Sequence, residues 1–545
     1  MKLVANPGTA LFEPRACPER RVAVRATGTF LVLVAVGGLT KIVGLLREMV
    51  LAADFGASRQ MDAYLVAQTL PSAVQRVFDE LLGATVLPLF AGWQATAGQR
   101  AAWSQLFGLL RTMLLLCCLL VVVAMALARP LLFVLAPGLD AGSARVAVRS
   151  LEIMLPSVAF VVVGTVCTAL LNFYHRYVWT AVIALAGNLT ALACIVLYAR
   201  RLGVYSAAIG ITLSTLLVAA LQWRALPQVP RGGTWLPEGR PWLREFARLA
   251  GPLGVGVVLF NLVPLVERFL ASWLPAGKIA LLNYAFKVDW LVYMIFVFSI
   301  TTMLFPRLAA AGAAGNHEQF TWVLATALKA AFLVLLPTMI LLAVEGNAVV
   351  RLLYQRGSFT AAHTAETAAI LKVYLLGLPG AAATLILFYA LYALKQPAGR
   401  VVAGALGLGV SLGCGWIGVR VLGARGIALT HALNFSLMAL LLGGYMRRAL
   451  GPEWGHSLRG FFVRVTSAGA ITLLLTWLAA GFLERTLPGA SALFAARRVA
   501  LCALIAVGSF AAFCWVVRVG EVHSLVSELR RYLWAAAKPR SETPE

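Results

Sequence analysis

The chain has 545 residues, of which 61% are hydrophobic and 12% charged, and its mean hydropathy is +0.85. Apolar runs of roughly 20 residues, enough to span a bilayer, recur along it and exclude an ordinary soluble globular protein. The formal net charge of +24 comes from Lys and Arg scattered over loops and helix ends. Positive loops beside anionic lipid account for that charge, and we expect no nucleic-acid partner.

The apolar runs predict an all-α polytopic membrane protein of about 14 transmembrane helices, arranged as two pseudo-symmetric six-helix lobes plus two C-terminal helices. Pro71 predicts a kink or break in the second span. An even number of spans puts both termini on one side, and the excess of Lys and Arg in the loops there predicts that this side is cytoplasmic. The predicted spans are residues 28–53, 61–91, 104–128, 146–172, 178–199, 203–224, 244–272, 279–306, 319–343, 364–393, 398–422, 424–447, 461–483 and 495–518.

One Pro/Gly-rich polar connection follows the sixth span and predicts a linker between two lobes. The C-terminal segment is basic and amphipathic, which is typical of a helix on the membrane surface. The predicted divisions are a cytoplasmic N-terminal extension (1–27), an N-lobe (28–224), a cytoplasmic linker (225–243), a C-lobe (244–447), two further spans (461–518) and a cytoplasmic tail (519–545).

Charged side chains interrupt the first two predicted spans. Lys41, Arg47 and Glu48 lie in the first, and Asp62 and Arg76 lie in the second. Charges at such depth are costly in lipid, so we expect them to face a polar cavity. The seventh and eighth spans repeat the pattern, with charges at Glu267, Arg268, Lys287 and Asp289.

Three of these cations, Lys41, Arg47 and Lys287, have no acidic residue four positions away. An unpaired cation persists in a membrane interior when water or an anion solvates it, so we predict that they bind an anionic substrate. Arg76 and Glu80 are four residues apart and could instead pair within one helix, which would be a purely structural role.

No motif of an enzyme stands out. His363 and Glu366 have helical spacing but no third ligand for a metal, and the cysteines lie mostly in apolar runs. A membrane-embedded glycosyltransferase or acyltransferase would need a sizeable loop, which the predicted connections do not offer. We therefore expect no catalytic residue, no metal and no cofactor.

The stretch TKIVGLLREMVLAADFGASRQMDAYLVAQTLPSAVQRVFDELL, starting at Thr40, resembles the opening signature of the MurJ/MviN lipid II flippases. These belong to the multidrug/oligosaccharidyl-lipid/polysaccharide exporter superfamily. Further similar stretches are LNFYHRYVWTAVIALAGNLT from Leu171 and LLYQRGSFTAAHTAETAAILKVYLLGLPG from Leu352. Together with the predicted spans, the resemblance covers nearly the whole chain.

The resemblance implies a flippase that moves an undecaprenyl-pyrophosphate-linked sugar from the inner to the outer leaflet by alternating access. By position, Arg47 matches an essential family arginine, Glu48 its acidic neighbour and Asp62 the aspartate after the turn. Lys41 and Lys287 stand where the family usually has arginine. The implied substrate-binding residues are thus Lys41, Arg47 and Lys287 with Arg76 in support, while Glu48 and Asp62 would exchange ion-pair partners during gating.

Other implications concern location and partners. The family resemblance implies the bacterial cytoplasmic membrane, a lipid-linked anionic glycan as substrate, and a groove for the lipid tail at the last two spans. We also expect membrane lipids as partners and a monomer. Gln75 replaces a usual family arginine, and lysine binds a pyrophosphate less directionally than arginine does. These departures leave open a second hypothesis, a flippase for another polyprenol-linked oligosaccharide of the exopolysaccharide or O-antigen type.

Overall fold

The structure is a computed structural model that describes residues 19–226, 241–394, 398–451, 453–486 and 492–517. Within these ranges every regular element is a helix, which confirms the predicted all-α class. Most of the predicted N-terminal extension (1–27) and linker (225–243), and all of the cytoplasmic tail (519–545), lie outside the described residues.

Seventeen helices make up the described chain, and a π-helical turn at Tyr293–Val297 joins α9 to α10. The helices are α1 (Glu19–Phe55), α2 (Arg59–Ala126), α3 (Ala128–Leu135), α4 (Ala141–Met154), α5 (Ser157–Phe173), α6 (Tyr177–Leu202), α7 (Tyr205–Ala225), α8 (Pro241–Ala271), α9 (Lys278–Val292), α10 (Phe298–Ala313), α11 (His317–Tyr354), α12 (Ala361–Leu375), α13 (Leu378–Ala393), α14 (Ala398–Leu422), α15 (Ala424–Leu450), α16 (Glu453–Thr486) and α17 (Ala492–Val516).

The predicted number of membrane spans is only partly tested by the described helices. Among the described residues, 11 helices are long and apolar enough to cross a membrane, or 12 when the bent pair α12 and α13 is one span. Two predicted spans, 61–91 and 104–128, share the 68-residue helix α2. The predicted first span, 28–53, lies in α1 and is described only in part. The exact count of fourteen therefore stays a prediction.

Helix α2 shows where backbone geometry departs from a straight helix. Its backbone stays helical at Pro71, so the chain does not break there, and a kink at this proline stays a prediction. The interruption lies instead at Gly98, whose φ of 82° is open to glycine and strained for other residues. Because Gly98 stands between the two predicted spans, it lets one helix contribute to both.

Helix α2 also packs against several other helices. Its flanks contact α4 and α5, and a further face lies along α8. Farther along the chain, α8 packs on α14, α14 on α15, and α16 and α17 both pack on α11. Helices α2 and α8 therefore lie side by side. The division into two lobes stays a prediction.

Candidate functional site

The predicted charged residues of α1 and α9 meet at one carboxylate. Glu48 Oε1 accepts a hydrogen bond from Arg47 Nη2 at 3.1 Å and lies 3.4 Å from Lys287 Nζ. Glu48 is only 7% exposed, whereas the Lys287 side chain retains 37% of its exposure. One acidic group therefore holds two cations side by side, with the lysine on the more accessible side.

Arg47 keeps unused hydrogen-bonding capacity at this cluster. Its Nε atom is buried and has no hydrogen-bond partner in the described part of the chain. A guanidinium carries five N–H donors in a planar fork that matches carboxylate and phosphate oxygens. Because buried donors without acceptors are rare in folded proteins, this one indicates a site that an anion could complete.

Helix α2 contributes polar contacts to α5 and α8. Arg76 Nε donates to Asn261 Oδ1 on α8 at 2.9 Å, so its guanidinium links α2 to α8. Glu80 also interacts electrostatically with Arg76, which agrees with the spacing of one helical turn. Gln75 Nε2 donates to Ser157 Oγ at 2.9 Å and thus faces α5. The adjacent residues Gln75 and Arg76 of α2 therefore face different neighbouring helices, α5 and α8.

Lys41 lies apart from these contacts. Its side chain is exposed and makes no hydrogen bond or ion pair with the residues that the structure describes. The structure thus brings together Arg47, Glu48 and Lys287 among the predicted site residues, places Arg76 against α8, and leaves Lys41 free. The assignment of all four cations to substrate binding stays a prediction.

Asp62 has backbone partners in this structure. Its carboxylate accepts hydrogen bonds from the amide groups of Gly277 and Ala280, the latter at 2.8 Å, at the N-terminus of α9. Asp62 is 3% exposed, and N–H groups at a helix N-terminus favour a negative charge. The residue therefore anchors α9 to α2, and its predicted exchange of ion-pair partners stays a prediction.

Three turns meet close to this anchor. Ser358 N, in the turn between α11 and α12, donates to Ala53 O at 2.8 Å at the end of α1. Tyr284 Oη of α9 donates to Gly56 O in the α1–α2 turn at 3.3 Å. Gly357 has a φ of 54°, and a Cβ atom added there would lie 2.3 Å from Ala53 O. Backbone contacts therefore close this end of the helices.

A second polar cluster, which the sequence analysis missed in part, joins α8 to α15. Glu267 Oε1 lies 2.9 Å from His431 Nδ1, and both side chains are largely buried. The imidazole is surrounded by the rings of Phe286, Tyr374 and Phe435, at centroid distances of 5.5, 5.3 and 4.9 Å. Glu267 was visible as an intramembrane charge, but nothing in the sequence marked a single histidine as its partner.

A third buried ion pair joins α11 to α17. Arg498 Nη2 lies 2.9 Å from Glu345 Oε2, and Glu345 is 2% exposed. The helix departs from regular geometry at Glu345, with φ of −100° and ψ of 15°. Arg498 lies near the start of the predicted last span, and nothing in the sequence indicated that it pairs with Glu345. The pair anchors the C-terminal helices to the bundle.

Comparison with known proteins assigns the family. The family model described as Lipid II flippase MurJ matches residues 51–499, which is most of the chain. The chain belongs to the MurJ family. The match begins within α1 and ends within α17, so all the polar clusters described above except Lys41, Arg47 and Glu48 lie inside it.

Curated relatives agree with membership of the MurJ family. A protein of Rhizobium meliloti (strain 1021) described as "Probable lipid II flippase MurJ" is 28% identical over 528 residues, covering 93% of this chain and 96% of the relative. The Lipid II flippase MurJ of Burkholderia cenocepacia is 26% identical over 473 residues, covering 83% of this chain and 90% of the relative.

Solved structures confirm the fold. A structure titled "Lipid II flippase MurJ, inward closed conformation" has a TM-score of 0.75 at 20% identity and covers 90% of this chain and 100% of that one. An inward-facing multidrug resistance MATE family transporter of the MOP superfamily has a TM-score of 0.67 at 15% identity, covering 77% and 98%. The resemblance to MurJ/MviN flippases is thereby confirmed, and the chain is a multi-pass membrane protein of a transporter family.

Proposed function

We propose that this chain translocates the undecaprenyl-pyrophosphate-linked peptidoglycan precursor, lipid II, from the inner to the outer leaflet of the bacterial cytoplasmic membrane. Membership of the MurJ family over residues 51–499 supports this function, and so do relatives described as lipid II flippases that align over most of their length. The substrate carries a pyrophosphate, an anion that needs cationic groups within the membrane interior.

The observation that carries the proposal is the cluster of Arg47, Glu48 and Lys287. Two cations from α1 and α9 share one buried carboxylate, and the Arg47 Nε donor is left without an acceptor. A pyrophosphate offers several oxygens to such a fork, and attraction between charges is strong where water is restricted. Arg76, and Lys41 with its free ammonium group, would add further contacts as the substrate enters.

Transport would proceed by alternating access. The two predicted lobes would rock about the line where α2 packs along α8, so that the site faces each leaflet in turn. Glu48 would release Arg47 and Lys287 to the pyrophosphate, and Asp62 would leave the N-terminus of α9 as the turns separate. Such an exchange keeps the two states close in energy, because each cation retains an anionic partner.

The remaining parts of the chain suit a lipid-linked substrate. Helices α16 and α17 pack on α11 beside the main bundle, and the groove there would hold the polyprenyl tail. We propose that both termini are cytoplasmic and that the protein acts as a monomer with membrane lipids around it, without nucleic acid, cofactor or catalytic step. An alternative substrate is another polyprenol-linked oligosaccharide, to which the lysines at positions 41 and 287 and Gln75 would be adaptations.

Growth of bacterial cells depleted of their own lipid II flippase tests the function. We expect the wild-type chain to sustain growth and Arg47→Ala to fail at equal membrane abundance. The control is Arg145→Ala, which removes an exposed arginine whose Nε atom donates to Ala141 O within α4. If a well-inserted wild type does not rescue growth, lipid II is the wrong substrate, and rescue by Arg47→Ala would refute the role of the cluster.

A further inference from the structure

Arg268 is a membrane-embedded cation that the cluster of Arg47, Glu48 and Lys287 does not include. It lies in the last turn of α8, inside an apolar segment long enough to span a membrane. Its Nη2 atom donates to Asn283 Oδ1 of α9 at 3.3 Å, and its side chain stays partly exposed. A guanidinium carries five N–H donors, so most of its hydrogen-bonding capacity remains for a ligand.

The acidic side chains that attract Arg268 are bound to other groups. Glu267 and Asp62 both interact with its guanidinium electrostatically. Glu267 Oε1, however, lies 2.9 Å from His431 Nδ1, and the Asp62 carboxylate accepts hydrogen bonds from two backbone amides at the start of α9. Neither acid forms an ion pair with Arg268 in the described part of the chain. An intramembrane cation without a carboxylate of its own marks a candidate site for an anion.

Asn283 adds a second donor at the same place. It is 6% exposed, and its Nδ2 atom has no hydrogen-bond partner among the described residues. Buried amide donors without an acceptor are rare in folded proteins. Because Nδ2 belongs to the same amide group as the Oδ1 atom that Arg268 contacts, an oxygen atom bound at Nδ2 would also lie close to the guanidinium. One oxyanion could therefore accept hydrogen bonds from both side chains.

Helix α9 places this pair of donors next to the cationic cluster. Asn283 and Lys287 are four residues apart on α9, so they share one face of the helix, with roughly 6 Å between their Cβ atoms. Lys287 Nζ lies 3.4 Å from Glu48 Oε1, the oxygen to which Arg47 donates. Contacts and helix geometry thus connect Arg268, through α9, to the cluster proposed to bind pyrophosphate.

A pyrophosphate consists of two phosphate groups that share one bridging oxygen, so two sets of donors one helical turn apart can each hold one group. We infer that Arg268 and Asn283 form a second-phosphate site, which binds one phosphate of the lipid while Arg47 and Lys287 bind the other. Arg76 and Arg268 repel each other electrostatically, and an anion bound close to both would relieve that repulsion. The second-phosphate site selects pyrophosphate lipids over monophosphate lipids.

The second-phosphate site rests on the proposed function, and binding of two lipids to the full chain in nanodiscs separates the two. The probes are undecaprenyl pyrophosphate and undecaprenyl monophosphate, which differ by one phosphate. Arg268→Gln and Asn283→Leu should each weaken pyrophosphate binding about tenfold, as expected for a lost hydrogen bond to a charged group, and leave monophosphate binding unchanged. Arg268→Lys, which keeps the charge, should lose less affinity for the pyrophosphate than Arg268→Gln.

Two comparisons complete the design. Arg248→Gln removes an exposed arginine from the same helix and should bind both lipids as the wild type does, whereas Arg47→Ala should weaken both. If the wild type binds neither lipid, the proposed function and the second-phosphate site fail together. If Arg47→Ala weakens both lipids while Arg268→Gln weakens neither, or both equally, only the second-phosphate site is overturned. Thermal unfolding verifies folding, and if Arg268→Gln does not fold, Asn283→Leu decides by the same measure.

Discussion

Glu48 Oε1 lies 3.4 Å from Lys287 Nζ, so a carboxylate of α1 is paired with an ammonium group of α9. Arg47 donates to the same oxygen. A carboxylate between two cations keeps them close together. Under the proposed function, it stands where a phosphate of the substrate would bind. Glu48 therefore both orders the site and competes with the anion that the site is proposed to bind.

We predict that Glu48→Gln binds undecaprenyl pyrophosphate several-fold more tightly than the wild type and transports more slowly. Removing the competing charge frees Arg47 and Lys287 for the lipid, but the cations then lack a partner once the lipid leaves. Affinity in nanodiscs and flipping in liposomes measure the two effects. Glu48→Asp, which keeps the charge, is the control, and weaker binding by Glu48→Gln would contradict the competition.

A second prediction concerns Asp62, which bonds to two buried amides at the start of α9. Asp62→Ala leaves both donors without an acceptor and should lower the free energy of unfolding by about 3 kcal/mol. Asp62→Asn retains one carbonyl oxygen and should lose about half as much. Denaturant unfolding in detergent measures both. Equal stability of the two variants would show that the amides find other partners.

Asp62 also illustrates how far sequence reasoning reaches. Charges within apolar runs identified Arg47, Glu48 and Lys287, because an intramembrane ion is costly wherever it lies. The partner of Asp62 was not visible, since backbone amides carry no sequence signature and Gly277 is 215 residues away. The pairing of His431 with Glu267 was not predicted for a similar reason. One histidine in an apolar helix looks the same in the sequence whether or not a distant glutamate faces it.

The helices themselves were largely predictable, whereas their interruptions were not. Apolar runs predicted membrane helices because backbone groups in lipid must bond within a helix. Pro71 was expected to kink or break α2, but the helix does not break there, and its backbone departs from helical geometry at Gly98, where φ is positive. Whether the helix is interrupted at Pro71 or at Gly98 depends on the tertiary contacts around each residue. The sequence alone does not give those contacts.

The third prediction is that Gly357→Ala opens the closed end of the helices. A Cβ atom at this position would lie 2.3 Å from Ala53 O, and the φ of 54° disfavours any side chain. The turns of α1 and α11 must then separate, and the hydrogen bond from Ser358 N to Ala53 O is lost.

Labelling measures this opening. A cysteine introduced at Ser58 should react with a water-soluble maleimide several-fold faster in Gly357→Ala than in the parent. The other glycine chosen for comparison is Gly444, where an added Cβ atom meets no atom within 4 Å, so Gly444→Ala should leave the labelling rate unchanged. Equal rates in all three proteins would show that the turns tolerate the added methyl group.

The last prediction concerns the pair of Glu267 and His431, whose atoms are 2.9 Å apart between α8 and α15. Each single change, Glu267→Ala or His431→Ala, removes one partner and leaves a buried polar group facing apolar rings, so each should cost about 2 kcal/mol of unfolding free energy. The double variant should cost less than the sum by about 1 kcal/mol or more, because residues in direct contact are not additive. Unfolding of all four proteins in one detergent gives this coupling energy. As a matched cycle, Glu267→Ala combined with Thr96→Ala should be additive, because Thr96 lies on α2 and its hydroxyl donates to Gly92 O in the same helix. Additive costs for Glu267 and His431 as well would mean that the contact contributes nothing and that the two side chains are stabilised separately.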